Sequence, residues 1–309
     1  MVNELQYIYG PIPSRRLGQS LGISPIPKKT CNYSCIYCQL GRTDRMMNTR
    51  EMFFPVEDIA DELAFVVQSG IAFDVVSIVG EGEPTLYLGL GDLIERIKSL
   101  TEKPIAVITN GALLSDLQVQ KELNLADFVL PTMDAYDEES FRRINRAHRQ
   151  LSYSAVSQGL RSFSQQYPGH LWLEIMLMKG INDDPESLEK FARILKDISY
   201  EKLYLNTPIR PPAEAGVTAV DHEGMALAEV VLQGISIEHF ASGGFSSRIT
   251  DDYKAILSTI KRHPMNQHEI SCFLKSRSCS DPDSIFTRLN QDDQVTVIQY
   301  KGYQTYRLK

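Results

Sequence analysis

Three cysteines stand close together near the N-terminus of this 309-residue sequence: Cys31, Cys35 and Cys38. Three residues separate the first pair and two separate the second. Thiolates this close along a chain can converge on one iron–sulfur cluster, and three of them leave a metal coordination position open for a substrate or cofactor. The triplet therefore predicts a catalytic metal centre.

A zinc site and a set of reduced structural thiols are the alternatives to a cluster. Structural zinc takes four protein ligands, and the nearest histidine along the chain is His148. Inert buried thiols need neither this spacing nor the polar Asn32 and Ser34 between them. The remaining cysteines, Cys272 and Cys279, are most simply core thiols, since free cysteine behaves as a small hydrophobe.

The triplet resembles the hallmark of the radical S-adenosylmethionine (SAM) superfamily, a C-x3-C-x2-C loop after the first strand of a barrel. The resemblance implies that Cys31, Cys35 and Cys38 hold a 4Fe–4S cluster whose open iron chelates SAM. One electron then cleaves SAM to methionine and a 5′-deoxyadenosyl radical, which abstracts hydrogen from a substrate. An electron donor such as flavodoxin or ferredoxin is implied as a partner.

Further residues match positions that bind SAM in this superfamily. Tyr37 matches an aromatic position near the adenine, and its alternative is simple loop packing. Gly82 and Glu83 lie in a segment similar to the family's Gly-Gly-Glu-Pro, which binds the methionyl amino group. Glu81 occupies the position of the first glycine, so a close-packed backbone is in doubt there.

Polar residues at later strand ends complete the predicted cofactor site. Thr109 and Asn110 resemble a ribose-contacting turn, and an ordinary Asn-Gly turn is the alternative. Asp134 could accept hydrogen bonds from a ribose diol, and Lys179 and Asn182 could reach a carboxylate. A solvated loop position is the alternative for each of these last three residues.

Motifs outside the triplet resemble a branch related to the tRNA wyosine-base synthases, over roughly residues 7–215. They are residues 10–18, 39–43 and 206–212. The leading hypothesis is therefore radical modification of an RNA base. Those synthases use additional cysteines for a second cluster, which is expected to be absent here. Modification of a small metabolite, peptide or protein, and a nonenzymatic cluster-bearing regulator that binds DNA, are the alternatives.

Four arginines are predicted near the barrel mouth as substrate-binding residues, because a guanidinium binds phosphate or carboxylate in a bidentate manner. Salt bridges to acidic residues of the same barrel are the alternative. They are Arg15, Arg16, Arg42 and Arg210.

Apolar runs that alternate with amphipathic stretches indicate the elements that position these residues. Strand-then-helix repetition implies parallel strands with right-handed crossovers, and such sheets carry chemistry at their C-terminal strand ends. We expect an α/β fold, a partial (β/α)6 TIM-like barrel. The predicted strands are residues 17–27, 73–80, 104–109, 128–132, 172–178 and 203–207, and the predicted helices are 56–68, 92–100, 138–147, 153–166 and 185–196.

The pattern changes in the last sixty residues or so. Helices are predicted at 251–263, 266–275 and 281–290, followed by a hairpin over 295–308 that turns at Lys301-Gly302. This order is typical of a winged helix-turn-helix. The prediction is a radical SAM partial barrel over 1–247 and a small winged domain over 251–309. Four aspartates flank the predicted recognition helix and disfavour DNA, so substrate delivery or partner docking is preferred.

Composition narrows the remaining classes. A net charge of −7 argues against a globally cationic nucleic-acid binder. No apolar run reaches the ~20 residues of a membrane span, and the N-terminus lacks the apolar region of a signal peptide. We therefore expect a cytoplasmic protein with no membrane partner.

Overall fold

A long, mostly parallel sheet organises the first three quarters of the chain. The computed structural model describes residues 5–237, 244–247 and 249–309, so positions 1–4 and 238–243 of the predicted first domain lie outside the described residues. The strands of this part are β1 (Ile8–Ser14), β2 (Gly18–Ile23), β3 (Thr30–Cys31), β4 (Arg45–Met46), β5 (Val75–Ile78), β6 (Ile105–Thr109), β7 (Phe128–Pro131), β8 (His170–Met176), β9 (Lys202–Asn206) and β10 (Ile235–Ser236).

The sheet has the strand order β1-β2-β5-β6-β7-β8-β9-β10, and β3 pairs with β4 apart from it. Neighbours from β2 to β10 are parallel, and only β1 is antiparallel to its neighbour. The connecting helices are α1 (Val56–Gln68), α2 (Leu90–Leu100), α3 (Leu117–Leu123), α4 (Glu138–Ile144), α5 (Tyr153–Gln166), α6 (Pro185–Leu195) and α7 (His222–Leu232). The predicted α/β class and parallel strand-helix alternation are confirmed.

The two faces of the sheet belong to two different cores. Val76 and Ile78 of β5 pack with helix residues such as Leu63 of α1. The other face of the sheet carries a second buried cluster, which includes Trp172 and Tyr204. Parallel strands that are covered on both faces are apolar almost throughout. Their apolar runs made all six strands recognisable in the sequence, and all six are present.

Several elements of this part were not predicted, among them the two-residue strands β3, β4 and β10. The edge strand β1 contains Gly10, Pro11 and Pro13, which interrupt a strand pattern, and an edge position tolerates prolines because one side of the strand needs no donors. Helices α3 and α7 were also missed. Helix α3, only seven residues long, lies between two predicted strands, and α7 follows the last predicted strand of the barrel.

The C-terminal unit (residues 252–308) has its own core, which includes Ile256, Phe273 and Tyr306. The three predicted helices and the hairpin are present, together with a short strand that was not predicted. The elements are α8 (Asp252–Ile260), β11 (Met265–Asn266), α9 (Gln267–Ser276), α10 (Pro282–Gln291), β12 (Val295–Tyr300) and β13 (Tyr303–Leu308). Their strands form a sheet in the order β11-β13-β12. The winged helix-turn-helix assignment and the domain limits stay predictions.

None of the helices in the described part of the chain combines the length and the apolar character that a membrane crossing needs.

Candidate functional site

The cysteine loop (residues 24–44) leaves the C-terminal end of β2, as the sequence predicts. Backbone hydrogen bonds hold it in place. The Cys38 amide donates to the Cys35 carbonyl at 3.1 Å, and the Ile36 amide donates to the Ile144 carbonyl of α4 at 3.0 Å. One of these hydrogen bonds closes a turn within the loop, and the other attaches the loop to the end of α4.

One cavity of about 200 Å³ brings the three cysteines together, and we call it the thiol cavity. It also receives the ends of β5 and β6, where Gly82, Glu83, Thr109 and Asn110 lie, and the ring of Tyr37. Five of the predicted cofactor residues therefore share a cavity with the three thiols. These strand ends are where a parallel sheet is expected to carry its chemistry.

Side-chain amides donate hydrogen bonds to two of the thiols. Asn110 Nδ2 lies 3.6 Å from the sulfur of Cys31, and Asn145 Nδ2 lies 3.6 Å from that of Cys35. Such donors stabilise sulfur in its anionic form, as a ligating thiolate requires. Asn145, at the end of α4, was not singled out from the sequence.

Burial raises the pKa of all three thiols above the ordinary range. At Cys38 a hydrogen bond from the Leu40 backbone opposes this rise in pKa, and so do the positive charges of Arg307 and Lys29. Without a metal the thiols therefore stay protonated, and binding of a metal centre must release protons.

The donor set fits an iron–sulfur cluster. Among the side chains that the structure describes, no three His, Cys, Asp or Glu groups lie close enough to hold a single metal ion. The three cysteines nevertheless line one cavity. Thiolates spread around a cavity in this way suit a multi-iron cluster, because each thiolate can bind a different iron.

Glycines let the turn after β5 pack against the cysteine loop. A Cβ on Gly82 would lie 1.8 Å from the Thr30 carbonyl oxygen, so no other residue fits without backbone movement. The Glu83 amide donates to the same Thr30 carbonyl at 3.1 Å. The turn at Gly82 is thus packed tightly against the cysteine loop, and its approach to a cofactor stays a prediction.

Glu81 departs from the family's glycine without opening the backbone. Its carbonyl accepts a hydrogen bond from the Lys29 amide at 2.6 Å, so the turn remains packed on the cysteine loop. The side chain points away and lies 3.3 Å from Arg262 Nε, in a pair whose two members are almost completely buried. The backbone is therefore close-packed at Glu81, and the side chain finds its partner in the C-terminal unit.

The Glu83 carboxylate joins two strand ends. Its Oε1 accepts hydrogen bonds from the hydroxyls of Thr85 and Thr109, both at 2.6 Å, and its Oε2 accepts one from the Asn110 amide at 2.7 Å. Burial raises the pKa of this carboxyl, and these hydrogen bonds oppose the rise. Glu83 thereby fixes the position of Asn110 beside Cys31.

Tyr37 and Asp134 form a second polar contact beside the thiols. The Tyr37 hydroxyl donates to the Asp134 carboxylate, which also accepts a hydrogen bond from the Met176 amide at 2.9 Å. Burial raises the pKa of Asp134 to about 6. The carboxylate is thus tied to the tyrosine that the family places near adenine.

Asn182 and Lys179 do not line the thiol cavity as the structure describes it. Asn182 is fully buried and closes its own loop, because its Oδ1 accepts from the Met178 amide at 2.8 Å and its Nδ2 donates to the Met176 carbonyl at 2.9 Å. Lys179 is exposed and pairs with Asp221 at 2.5 Å. Their contact with a cofactor carboxylate stays a prediction.

The four predicted arginines also lie outside the described lining of the cavity. Two of them, Arg16 and Arg42, form ion pairs within the barrel, as the alternative expected; Arg210 pairs with a carboxylate of the C-terminal unit, and Arg15 donates to an asparagine. The pairs are Arg16 with Glu174, Arg42 with Glu214, Arg210 with Glu269, and Arg15 with Asn206. Their role in substrate binding stays a prediction.

The interpretation of Cys272 as a core thiol is wrong. Cys272 is exposed on α9, whereas the neighbouring Phe273 and Leu274 face the core. Cys279 is half-buried and packs against that core, as expected. Helical periodicity over α9 places position 272 on its outer face, so the sequence contained the signal.

Comparisons with known proteins agree with this geometry. The family model described as "Radical SAM superfamily" matches residues 26–192. The chain is 33% identical over 308 residues to the UPF0026 protein MJ1312 of Methanocaldococcus jannaschii, covering 95% of this chain and 93% of that protein. It is 33% identical over 272 residues to a Brachyspira hyodysenteriae protein named GTPase Obg, covering 85% of this chain but spanning only 40% of that protein.

A solved radical SAM methyltransferase from Sphaerobacter thermophilus has a similar fold. The TM-score is 0.53 at 15% sequence identity, and the match covers 72% of this chain and 69% of the methyltransferase. At this identity the likeness concerns the partial-barrel fold alone.

Proposed function

Since the chain belongs to the radical SAM superfamily and to the UPF0026 proteins, we propose that it modifies an RNA base by hydrogen abstraction. Enzymes of this superfamily use a 4Fe–4S cluster and SAM, and these are the cofactors of this chain. When bound, they supply the one-electron cleavage of SAM that starts hydrogen abstraction. The electron comes from a donor protein, for which flavodoxin or ferredoxin is our proposal.

The gathering of Cys31, Cys35 and Cys38 around the thiol cavity carries this proposal. We assign the three thiolates to the cluster, with Asn110 and Asn145 donating hydrogen bonds to two of the sulfurs. The described lining of the cavity contains no fourth Cys and no His, which leaves a coordination position for SAM.

The remaining residues of the site orient SAM in this proposal. Tyr37 covers the adenine, and Asp134, held by that tyrosine, accepts hydrogen bonds from the ribose. Gly82 lets the backbone approach the methionyl group closely, and Glu83 positions the turn that carries Asn110. Glu83 and Asp134 are buried, and their position limits access of water to the reacting atoms in this proposal.

The choice of a large substrate rests on the C-terminal unit and on the branch resemblance. We propose that residues 251–309 are a winged helix-turn-helix, because three helices accompany a sheet of the order β11-β13-β12. This unit contacts the cysteine loop through Arg307, whose Nη1 donates to the Gln39 carbonyl at 3.2 Å. A substrate held by it would therefore lie near the thiol cavity.

Anaerobic SAM cleavage tests the chemistry. After cluster reconstitution and reduction with dithionite, we expect methionine and 5′-deoxyadenosine to form. Cys35→Ala removes one ligand and is expected to abolish both products, whereas Cys272→Ala removes an exposed thiol and is expected to change nothing. Absence of both products from the wild-type protein, with iron and sulfide present, would contradict the proposal.

A comparison of RNA nucleosides from cells with and without the gene tests the substrate. We expect one modified nucleoside to disappear with the gene and to return with the wild-type copy but not with Cys35→Ala. An unchanged nucleoside profile, with deuterium from a labelled metabolite or peptide entering 5′-deoxyadenosine, would instead assign a small or protein substrate.

A further inference from the structure

The last strand of the C-terminal unit runs along the cysteine loop. In β13, Arg307 Nη1 donates to the Gln39 carbonyl at 3.2 Å, and a Cβ placed on Gly41 would lie 3.7 Å from the same nitrogen. Lys28 Nζ, on the loop, donates to the Leu308 carbonyl at 3.4 Å. The guanidinium of Arg307 is therefore held next to the residues that directly follow Cys38.

Arg307 differs from two other arginines in or near the C-terminal unit in having no carboxylate partner among the described residues. Arg210 and Arg277 form ion pairs with Glu269 and Asp252, each shorter than 3 Å. Arg307 is half-buried, and its described hydrogen bond goes to a carbonyl; no carboxylate within the described residues forms an ion pair with it. A partly desolvated cation is costly unless an anion lies close.

A second cation approaches the same point. The Lys29 ammonium lies 3.8 Å from a Cβ placed on Gly41, and its Asp44 partner is exposed and 3.6 Å away. Lys29 also lines the thiol cavity. Two positive groups thus flank the Cys38 side of the cavity, and the three cysteines are the groups there that become anionic when they ligate a metal.

We propose that Arg307 is an electrostatic partner of the cluster and raises its reduction potential. The inference rests on the proposed cluster at Cys31, Cys35 and Cys38. A cluster held by three thiolates gains negative charge when an electron enters, so a nearby cation stabilises the reduced form more than the oxidised form. The C-terminal unit therefore takes part in setting the potential at which SAM chemistry can begin.

A buried ion pair also joins the C-terminal unit to the turn beside the cysteine loop. Arg262, at the end of α8, lies 3.3 Å from Glu81 in the turn beside the cysteine loop, stacks over the Tyr9 ring at 5.0 Å, and donates to the Gln6 carbonyl at 2.5 Å. The C-terminal unit is thus bonded to the barrel at the turn that borders the thiol cavity, as well as through β13.

Redox titration followed by electron paramagnetic resonance tests this role without an activity assay. The full-length reconstituted protein is titrated in the absence of SAM, as wild type, Arg307→Gln, Arg307→Lys and Lys275→Gln. We expect a more negative potential for Arg307→Gln and near wild-type potentials for Arg307→Lys and for Lys275→Gln, which removes a charge from the exposed face of α9. Iron and sulfide contents and circular dichroism confirm that each variant is folded and loaded.

Three outcomes overturn the inference. One is an unchanged potential in a fully loaded Arg307→Gln variant. Another is an equal shift in Lys275→Gln. The third is weaker SAM binding by Arg307→Gln with an unchanged potential, which would make Arg307 a SAM ligand.

If Arg307→Gln cannot hold a cluster, the reduction potential of Lys29→Gln is measured instead. This substitution removes the second cation from the same place and is expected to shift the potential in the same direction. Wild-type protein without iron and sulfide would instead remove the proposed function itself, so the two failures are distinguishable.

Discussion

Single residues of the site owe their identity to different constraints. Gly82 is set by sterics, because only a hydrogen fits against the Thr30 carbonyl. Glu83 is set by hydrogen bonding, because its carboxylate, after β5, accepts hydrogen bonds from Thr109 and Asn110 at the end of β6. Cys31, Cys35 and Cys38 are set by chemistry, because three half-buried thiols around one cavity can bind a metal centre as thiolates.

Gly82→Ala is expected to destabilise the protein by about 1–3 kcal/mol or more, since overpacking against backbone cannot be relieved by a side-chain rotation. The displaced turn is also expected to lower iron loading. Urea unfolding and iron analysis after reconstitution measure both effects. Gly216→Ala is the control, because nothing lies within 4 Å of its added Cβ. Equal stability and loading of the two variants would contradict the steric account.

At the scale of elements, the barrel and the C-terminal unit meet through charged side chains. Glu81, in the turn after β5, and Arg262, at the end of α8, are 4% and 3% exposed. Glu81 Oε1 has no hydrogen-bond partner among the described groups. Removing one member of such a pair is far more costly than removing both, because a lone buried charge remains.

Arg262→Met is expected to lower the free energy of unfolding by about 3–5 kcal/mol, because Glu81 is left buried without a counter-ion. The double variant Glu81→Leu with Arg262→Met is expected to recover most of this loss. Urea titration of the two single variants, the double variant and wild type forms a complete cycle. A double variant no more stable than Arg262→Met would show that the pair is not the source of the effect.

His263 gives the same interface a pH dependence. Its Nε2 accepts a hydrogen bond from Arg210 Nη2 at 2.9 Å. Burial, followed by the charges of Arg210 and Arg15, holds the pKa of His263 well below its ordinary range. The folded protein therefore keeps this histidine neutral at pH values where the unfolded chain takes up a proton.

The sign follows from that difference in proton uptake. The free energy of unfolding is expected to fall as the pH drops through about 6.5, by up to about 1.4 kcal/mol per pH unit from this group. His263→Gln is expected to flatten the dependence, and His222→Gln, at an exposed position of α7, is expected to retain it. Unfolding measured between pH 5.5 and 7.5 would contradict the assignment if both variants kept the wild-type slope.

At the scale of the whole molecule, bonds between the two parts extend over a broad contact. Arg210 binds both oxygens of Glu269 at 2.8 Å, and the Tyr300 hydroxyl donates to the Pro208 carbonyl at 2.7 Å. Together with Arg262 and Arg307, these contacts tie the C-terminal unit to the loops that surround the thiol cavity. Although each part has its own core, the ion pairs Arg262–Glu81 and Arg210–Glu269 take one member from each part.

The two parts are therefore expected to unfold together. The single tryptophan, Trp172 in β8, reports on the barrel by fluorescence, and far-ultraviolet circular dichroism reports on both parts. We expect coincident urea transitions for wild type. Combining Arg210→Gln with Arg262→Met is expected to separate the two midpoints. Separate transitions in the wild-type protein would show that the interface contributes little.

The sequence by itself determined the features that neighbouring residues encode. The triplet, its place after a strand, the six parallel strands and the helices between most of them follow from spacing and hydrophobic periodicity along short segments. The same reasoning brought Tyr37, Gly82 and Asn110 to one end of the sheet, because parallel strands end at a common edge.

Only the tertiary structure decided which distant groups meet. Gln39 and Arg307 are 268 positions apart, and no local pattern relates them. The partners of Glu81, Arg16 and Arg210 were equally hidden, because an ion pair depends on how whole elements pack and leaves no periodic trace in the chain. Local physics thus specified the barrel and its thiols, and packing of the C-terminal unit specified the charges around them.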